Sequence, residues 1–576
     1  MGYSNKYLTW HLAITVIAAI LFIPFLGAVH LFDWDEINFA ECAREMIVTN
    51  NYSRVQINFQ PFWEKPPLFI WLQVLSMKLF GVNEFAARFP DAVCGIITLN
   101  LTYYFGRKYN NHTFGLLWTM CFTASFLPFL YFKSGIIDPW FNLFIFLSIC
   151  FLMQWFTNNI SKKININALY AGLFAGLALL TKGPVGLLII GLTFLVSWIR
   201  LKFNPFYNVK NLALFIFITL ITGLSWYIFE IATGHSDVVK EFIDYQIRLG
   251  TTGDSGHDGF KLYHFVVLLV GCFPACLFFI PSHKKNISDT PFQVYVKKWM
   301  LHLFWVVLIL FSFFVDTKIV HYSSMCYFPL TYLAAYKLHD IIYSQKKLHQ
   351  LLFALGIFLI IVLGIAFTAA GFITYFIPAI TNSNLIKDKF AVALLQTPVK
   401  WYGFEWIIGV LFLFFSIYFF IHIHKNKKNI YGLFATSLVS IWMITLLIVP
   451  KIEPISQGPA IEFYESLKGK NCYVETIGFK SYAYMFYTDR QLAHNSPLML
   501  KYIKEKELQI NKDGHVASFS FNLMSLNWML YEKIDKPAFF VAKITDVENI
   551  KKGNPDLIKL YSKGGFVFYK RLPNIK

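Results

Sequence analysis

The sequence predicts a helical, polytopic membrane protein with a small C-terminal α/β region. Three observations carry this. Hydrophobic residues make up 56% of the chain and charged residues only 15%, where soluble proteins carry roughly a quarter charged. The mean hydropathy is +0.51. Apolar runs long enough to span a bilayer, about 20 residues each, recur until residue 450, and the composition changes at Lys451.

Thirteen segments read as spans: 8–29, 88–107, 112–130, 136–157, 166–182, 184–200, 211–232, 262–281, 297–316, 320–338, 350–376, 402–424 and 430–449. The first follows Lys6 and has no small-residue cleavage site after it, so it reads as a retained signal anchor. Alternate connections carry the basic pairs Arg107-Lys108, Lys162-Lys163, Lys284-Lys285 and Lys427-Lys428. The positive-inside rule places these and the N-terminus in the cytoplasm. The connections 30–87 and 233–261 and the region 451–576 then fall on the outer, periplasmic face of the inner membrane. The net charge of +18 is spread over these short clusters and forms no single patch, which excludes a nucleic-acid partner.

Past Lys451 charges become frequent and apolar runs shorten. Asn471 to Phe479, Ala538 to Ile544 and Gly565 to Tyr569 read as strands. Tyr482 to Tyr487 and Thr545 to Lys551 read as helical. Eight cysteines lack metal-ligand spacing. Cys42 and Cys472 fall on the outer side, and the sequence does not show whether they pair.

Residues 30–87 hold the densest chemistry. Asp35 and Glu36 follow the first span by a few residues and sit among Phe32, Trp34 and Phe39. Carboxylates at that depth are costly unless paired or used, and their use could be as a general base or in binding sugar hydroxyls. Glu64-Lys65-Pro66-Pro67 comes next. Two prolines hold the chain extended and fix where the lysine points, and a fixed ammonium suits a phosphate leaving group. Glu64 is a candidate ligand for a divalent cation; no other cofactor is expected. Asp138 precedes Pro139 at the start of the fourth span, a favoured helix start that does not exclude a role in catalysis. Lys182, Arg248, Lys318, His321 and Tyr322 reach the same face. Outer-face cations depart from the cytoplasmic bias and suggest an anionic ligand in the outer leaflet.

These residues resemble the polyprenyl-phosphate-sugar-dependent glycosyltransferases of the GT-C class. The likeness is to the lipid A aminoarabinose transferases and their relatives in the dolichyl-phosphate-mannose protein mannosyltransferase superfamily. It rests on Asp35-Glu36, Phe39-Ala40-Glu41, Ala43-Arg44-Glu45-Met46, Trp63-Glu64-Lys65-Pro66-Pro67 and Gly81 to Pro90 with Arg88. Asp138 resembles the family's second luminal acid, and Thr317-Lys318 with His321-Tyr322 its Lys-Thr-Lys…His-Tyr turn. Three departures bear on substrate choice, one being that Ile243-Asp244-Tyr245-Gln246-Ile247-Arg248 lacks the His that the aminoarabinose enzymes carry before the arginine of that loop. Asn38 stands where the family has Arg or Lys, and Phe39 stands where it has Tyr.

The resemblance implies a GT-C fold over residues 1–450 with an extracytoplasmic α/β domain over 451–576. It implies transfer of a sugar from a polyprenyl-phosphate donor, with inversion, to a lipid A-like or protein acceptor at the bilayer surface. Asp35, Glu36 and Asp138 would be catalytic. Lys65, Arg248, Lys318 and Tyr322 would hold the donor phosphate. The alternative, a transporter or flippase for a lipid-linked anion, would place its charges in mid-span, commonly between repeated halves; no repeat is visible.

Overall fold

The structure is a computed structural model of the 576-residue chain. It describes residues 2–157, 165–200, 209–251, 259–279, 289–344, 347–383, 386–512 and 520–574, without the side chains of 2–6, 248–251, 344, 493 and 508–512.

Helix α1 (Gly2–Phe22) leads into the first long connection. That connection is itself folded: α2 (Asp35–Thr49), a hairpin of β1 (Gln56–Ile57) and β2 (Gln60–Pro61), then α3 (Leu68–Phe80). The helical body follows as α4 (Glu84–Tyr109), α5 (His112–Thr123), α6 (Phe126–Tyr131), α7 (Asp138–Thr157), α8 (Ile166–Lys182) and α9 (Val185–Arg200). It continues with α10 (Val209–Gly223), α11 (Ser225–Ala232), α12 (Ser236–Thr251), α13 (Tyr263–Gly271), α14 (Pro291–Ile309) and α15 (Tyr327–Ser344). Helices α16 (Gln350–Gly371), α17 (Ile373–Asn382), α18 (Lys389–Leu395), α19 (Ile407–Ile421) and α20 (Lys427–Leu447) complete it.

Local sequence sets several of these starts. The Asn83 side chain accepts from Ala86 N–H at 2.8 Å at the head of α4, and Asn111 accepts from Phe114 N–H at 2.9 Å at the head of α5. Thr290 and Gln293 form a reciprocal capping box before Pro291. Small residues let α8 and α10 approach closely. A Cβ on Gly172 would lie 2.6 Å from the Phe215 carbonyl oxygen, and one on Gly176 would lie 2.6 Å from Thr222 Cβ. Aromatic stacking fills the centre: Phe146 lies on Phe328 with centroids 4.3 Å apart, 14° from parallel.

All thirteen segments expected to span contain helix. Among the described residues, four helices are long and apolar enough to cross a membrane: Asp138–Thr157, Pro291–Phe314, Gln350–Gly371 and Lys427–Ser456. A fifth results if α10 and α11, bent by 51°, count as one span. The expected segments 112–130, 211–232 and 262–281 are each broken into shorter pieces.

The C-terminal region starts with α21 (Val449–Ser456) and α22 (Gly458–Ser466). It continues with β3 (Tyr473–Ile477), α23 (Ala483–Tyr487), α24 (Pro497–Lys512), α25 (Phe521–Tyr531), β4 (Ala538–Lys543), α26 (Val547–Gly553), β5 (Ile558–Lys563) and β6 (Phe566–Arg571). The sheet order is β3-β4-β6-β5, with β3 parallel to β4 and the other pairs antiparallel. The three expected strands and two expected helices are present, and α21, α22, α24, α25 and β5 come in addition to them.

Side-chain alternation splits the sheet residues between two cores. Phe540, Ala542, Val567 and Tyr569 pack with Met499 and Trp528. Val541, Phe566 and Phe568 join Ala43, Met46, Ile57 and Ile70 of the first long connection. The C-terminal sheet and the connection that carries Asp35 therefore share a hydrophobic core. Cys42 and Cys472 are both free thiols.

Candidate active site

The chain enters α2 through Asp33-Trp34-Asp35-Glu36, and the two acids of the first turn have different fates. Glu36 is 6% exposed and turns inward. Its Oε1 accepts from Arg88 Nε at 3.0 Å and from Gly135 N–H at 2.7 Å. Its Oε2 accepts from Arg88 Nη2 at 2.7 Å and from Phe32 N–H at 2.9 Å. Burial pushes the Glu36 carboxyl up, but the Arg88 guanidinium and these four hydrogen bonds bring it below the usual carboxylate range. Arg88 spends its remaining donors on the carbonyls of Leu26 at 2.8 Å, Val29 at 2.6 Å and His30 at 2.9 Å. The catalytic role expected for Glu36 is corrected on this geometry. All its acceptor positions are occupied by the protein, and it ties the turn before α2 to α4 and to Gly135.

Asp35 faces the other way and is a third exposed. Its Oδ2 lies 3.6 Å from His321 Nε2. Asp138, at the head of α7, is 2% exposed. Its Oδ1 takes a 2.6 Å ion-paired hydrogen bond from Lys182 Nζ at the end of α8. Its Oδ2 is buried and has no partner among the described residues. Lys182 also lies 5.8 Å from the ring centre of Tyr322.

Lys65 reaches the same group. Burial holds its ammonium below the ordinary lysine value, and Lys182 adds to this; Glu64, Asp35 and Asp138 oppose it. It lies 6.0 Å from the ring centre of Tyr245 on α12. Helix α12 is positioned against it by Gln246, whose amide donates to the Glu64 carbonyl at 3.5 Å. No ion pair or hydrogen bond holds the Lys65 ammonium within the described residues.

Lys318 is a second correction. Its ammonium donates to the carbonyls of Phe311 and Ser312, each at 3.0 Å, and to that of Val315. All three donors are spent on the frayed end of the helical run from α14, where a cation also complements the helix dipole. Lys133 does the same for α1, donating to Phe22 O at 3.2 Å and Pro24 O at 2.8 Å. The expected phosphate-binding role of Lys318 is not carried further. The Arg248 backbone lies in α12; its side chain is outside the described residues. Among the described residues, Glu64 belongs to no group of three or more His, Cys, Asp or Glu that could hold a metal. The structure gives partners to two residues that the sequence places on the outer face without pairing them, Lys182 with Asp138 and His321 beside Asp35. Both stood in outer-face turns; their partners did not show.

The C-terminal region grips the turn that presents Asp35. The Tyr487 hydroxyl accepts from Leu31 N–H at 2.8 Å. The Gln457 amide accepts from Asp33 N–H at 3.2 Å and donates to Leu31 O at 2.8 Å. Further along α2, Arg44 is held by two 2.7 Å bonds to Glu41 and a 3.2 Å bond to Asp489.

Comparison with known proteins gives the following. Residues 64–226 match the family model described as dolichyl-phosphate-mannose-protein mannosyltransferase. The undecaprenyl phosphate-alpha-4-amino-4-deoxy-L-arabinose arabinosyl transferase of Wigglesworthia glossinidia brevipalpis is 25% identical over 60% of this chain and 61% of its own. An arabinosyl transferase of the same description from Proteus mirabilis is 28% identical over 58% of this chain and 60% of its own. The matched regions thus span about three-fifths of these relatives' length. ArnT from Cupriavidus metallidurans, solved with bound undecaprenyl phosphate, superposes with a TM-score of 0.73 over 98% of both chains at 15% identity. The resemblance read from the front motif is borne out: the chain is similar to the dolichyl-phosphate-mannose protein mannosyltransferases and the aminoarabinose transferases, and it has the fold of ArnT.

Proposed function

We propose that this protein is an inverting glycosyltransferase that moves a sugar from a polyprenyl phosphate to an envelope acceptor, a lipid A-like glycolipid or a protein, at the outer face of the inner membrane. The observation that carries the reading is the arrangement around Lys65. An ammonium that has no ion pair among the described residues stands beside the Lys182–Asp138 pair and the carboxylate of Asp35. Relatives named for undecaprenyl phosphate-linked donors support the donor class.

The acceptor oxygen attacks the anomeric carbon from the side opposite the phosphate. The bond between that carbon and the phosphate oxygen breaks, and the polyprenyl phosphate leaves with the electron pair. Lys65 and Lys182, with the Tyr322 hydroxyl and Arg248, stabilise charge on the leaving phosphate. Asp138 holds Lys182 in place. Asp35, with His321 beside it, takes the proton when the acceptor is a hydroxyl. A phosphate acceptor is already ionised, and Asp35 then orients groups. The expected flippase role draws no support from these relatives.

The thirteen-span topology belongs to the same proposal, with a cytoplasmic N-terminus and residues 451–576 as a periplasmic domain. A reporter fused after Lys576 that is active only in the cytoplasm would overturn this orientation. Asp35→Asn tests the chemistry. With a hydroxyl acceptor the variant loses about a hundredfold or more in single-turnover rate, and higher pH recovers little, because Asn cannot take the proton. With a phosphate acceptor a substantial rate remains. Wild-type rates in both Asp35→Asn and Asp138→Asn, with folding verified, remove the carboxylates from the mechanism.

A further inference from the structure

The end of the helical body opposite Asp35 carries a second cluster, which sugar transfer does not use. Arg107 stands in the last turn of α4. Arg88, which holds Glu36, is near the start of the same helix. At 1.5 Å per residue the two arginines are about 28 Å apart. The hydrocarbon core of a bilayer is about 30 Å thick, so Arg107 falls at the level of the opposite membrane surface.

Its surroundings are aromatic. The guanidinium lies 4.0 Å from the ring centre of Tyr7 on α1 and 5.9 Å from that of Tyr103. The Tyr103 hydroxyl shares a 2.9 Å hydrogen bond with His112, whose ring centre stands 5.2 Å from that of Trp10. Trp10 is 37% exposed, which suits a ring at the headgroup level. Lys108, beside Arg107, donates to the Gln154 side chain. Arg107 has no such partner: no carboxylate pairs with it and no hydrogen bond holds its side chain among the described residues. It is half-buried, and none of its side-chain nitrogens is sealed from solvent. The helix dipole accounts for a cation at this position. It does not account for a guanidinium laid over a ring with its donor edge left open.

A stacked guanidinium keeps its in-plane N–H donors, and these match phosphate oxygens two at a time. The depth of Arg107 calls for an amphiphilic ligand. Leu8, Leu12, Val16 and Ile20 are exposed along α1 at four-residue spacing, starting one residue past Tyr7, and give an acyl chain a path. With no acid paired to Arg107, the cluster favours a headgroup of net negative charge over a zwitterionic one. We infer that Arg107, fixed by Tyr7 and Tyr103, binds the phosphate of an anionic phospholipid in the leaflet away from Asp35. Calling that leaflet cytoplasmic rests on the proposed topology; the binding does not.

The test is native mass spectrometry of the full-length protein in detergent, titrated with phosphatidylglycerol and separately with phosphatidylcholine. Phosphatidylglycerol is expected to give one adduct retained more strongly than any with phosphatidylcholine. Arg107→Ala should weaken that adduct about tenfold, the scale of a lost hydrogen bond to a charged group. Arg107→Lys should recover only part, because a point charge does not make the paired bonds. Tyr7→Leu keeps the charge and loses the ring, and should weaken the adduct less than Arg107→Ala. Lys428 is exposed at the head of α20, whose other end leads through α21 to Gln457 at the Asp33 turn, so it lies at the same end as Arg107. Lys428→Ala should leave the adduct unchanged, and glycerol 3-phosphate should not displace the lipid. Thermal unfolding midpoints verify the fold of each variant; should Arg107→Ala not fold, Arg107→Lys and Tyr7→Leu carry the test. Equal retention of the two lipids, retention indifferent to the Arg107 and Tyr7 variants, an equal loss in Lys428→Ala, or displacement by glycerol 3-phosphate would overturn the inference. The third result would assign the lipid to the general positive field of this end, and the last would make the cluster a site for soluble phosphates.

Discussion

Lys65→Ala is expected to slow sugar transfer by a hundredfold or more. Removing a fixed donor from a developing negative charge typically costs about 2.7–4 kcal/mol in the transition state. Lys65 meets the conditions for the full effect. Pro66 and Pro67 fix the chain behind it, α12 packs beside it through Gln246 and Tyr245, and no carboxylate pairs with its ammonium among the described residues. Burial and Lys182 already hold its charge at a cost, with Glu64, Asp35 and Asp138 opposing. A dianionic lipid phosphate would relieve that cost. The fall should appear in single-turnover rates at saturating donor, and Lys65→Arg should recover only part, since a planar guanidinium presents its charge differently. Undiminished rates in a well-folded Lys65→Ala protein would remove the lysine from the reaction.

Arg88→Ala is expected to destabilise the protein by about 3–5 kcal/mol, the cost of leaving one member of a buried ion pair behind. The Glu36 carboxylate is 6% exposed, and the loss would also release the carbonyls of Leu26, Val29 and His30. Adding Glu36→Gln to Arg88→Ala should recover part of the loss by removing the unpaired charge. The readout is the midpoint of thermal unfolding in detergent, with the four proteins of the cycle compared. If Arg88→Ala unfolds within a degree or two of wild type, the turn before α2 is held by something other than this pair. A Glu36→Gln protein that is stable yet inactive would return Glu36 to the catalytic group.

The contrast between Glu36 and Asp35 shows where sequence reading stops. Adjacent carboxylates beside a span are conspicuous because ionised groups are rare there. Their division of labour depends on Arg88, 52 residues from Glu36, and no local spacing encodes it. Lys182 and Asp138 meet across 44 residues for the same reason. Lys318 shows the converse error. A lysine in an outer turn looks the same in sequence whether it awaits an anion or caps carbonyls. The front motif was legible because its residues are consecutive and its prolines have fixed conformational consequences.

In the fold, periodicity found β3, β4 and β6, whose residues are mostly buried. It missed β5, an edge strand exposed at every position, where no alternation survives. Helix α3 falls inside a connection in the hydropathy pattern because its 13 residues are too few to span. Breaks within segments 112–130, 211–232 and 262–281 leave apolarity intact and interrupt only the backbone, so hydropathy passes over them.

The most direct measurement is the fate of an isotopically labelled undecaprenyl phosphate-linked sugar in proteoliposomes holding the purified protein and an envelope lipid extract. The account predicts release of undecaprenyl phosphate in step with the gain of one sugar mass by an acceptor, with the anomeric configuration inverted and the reaction lost in Lys65→Ala. Recovery of intact donor, moved to the opposite leaflet with no acceptor gaining mass, would contradict it.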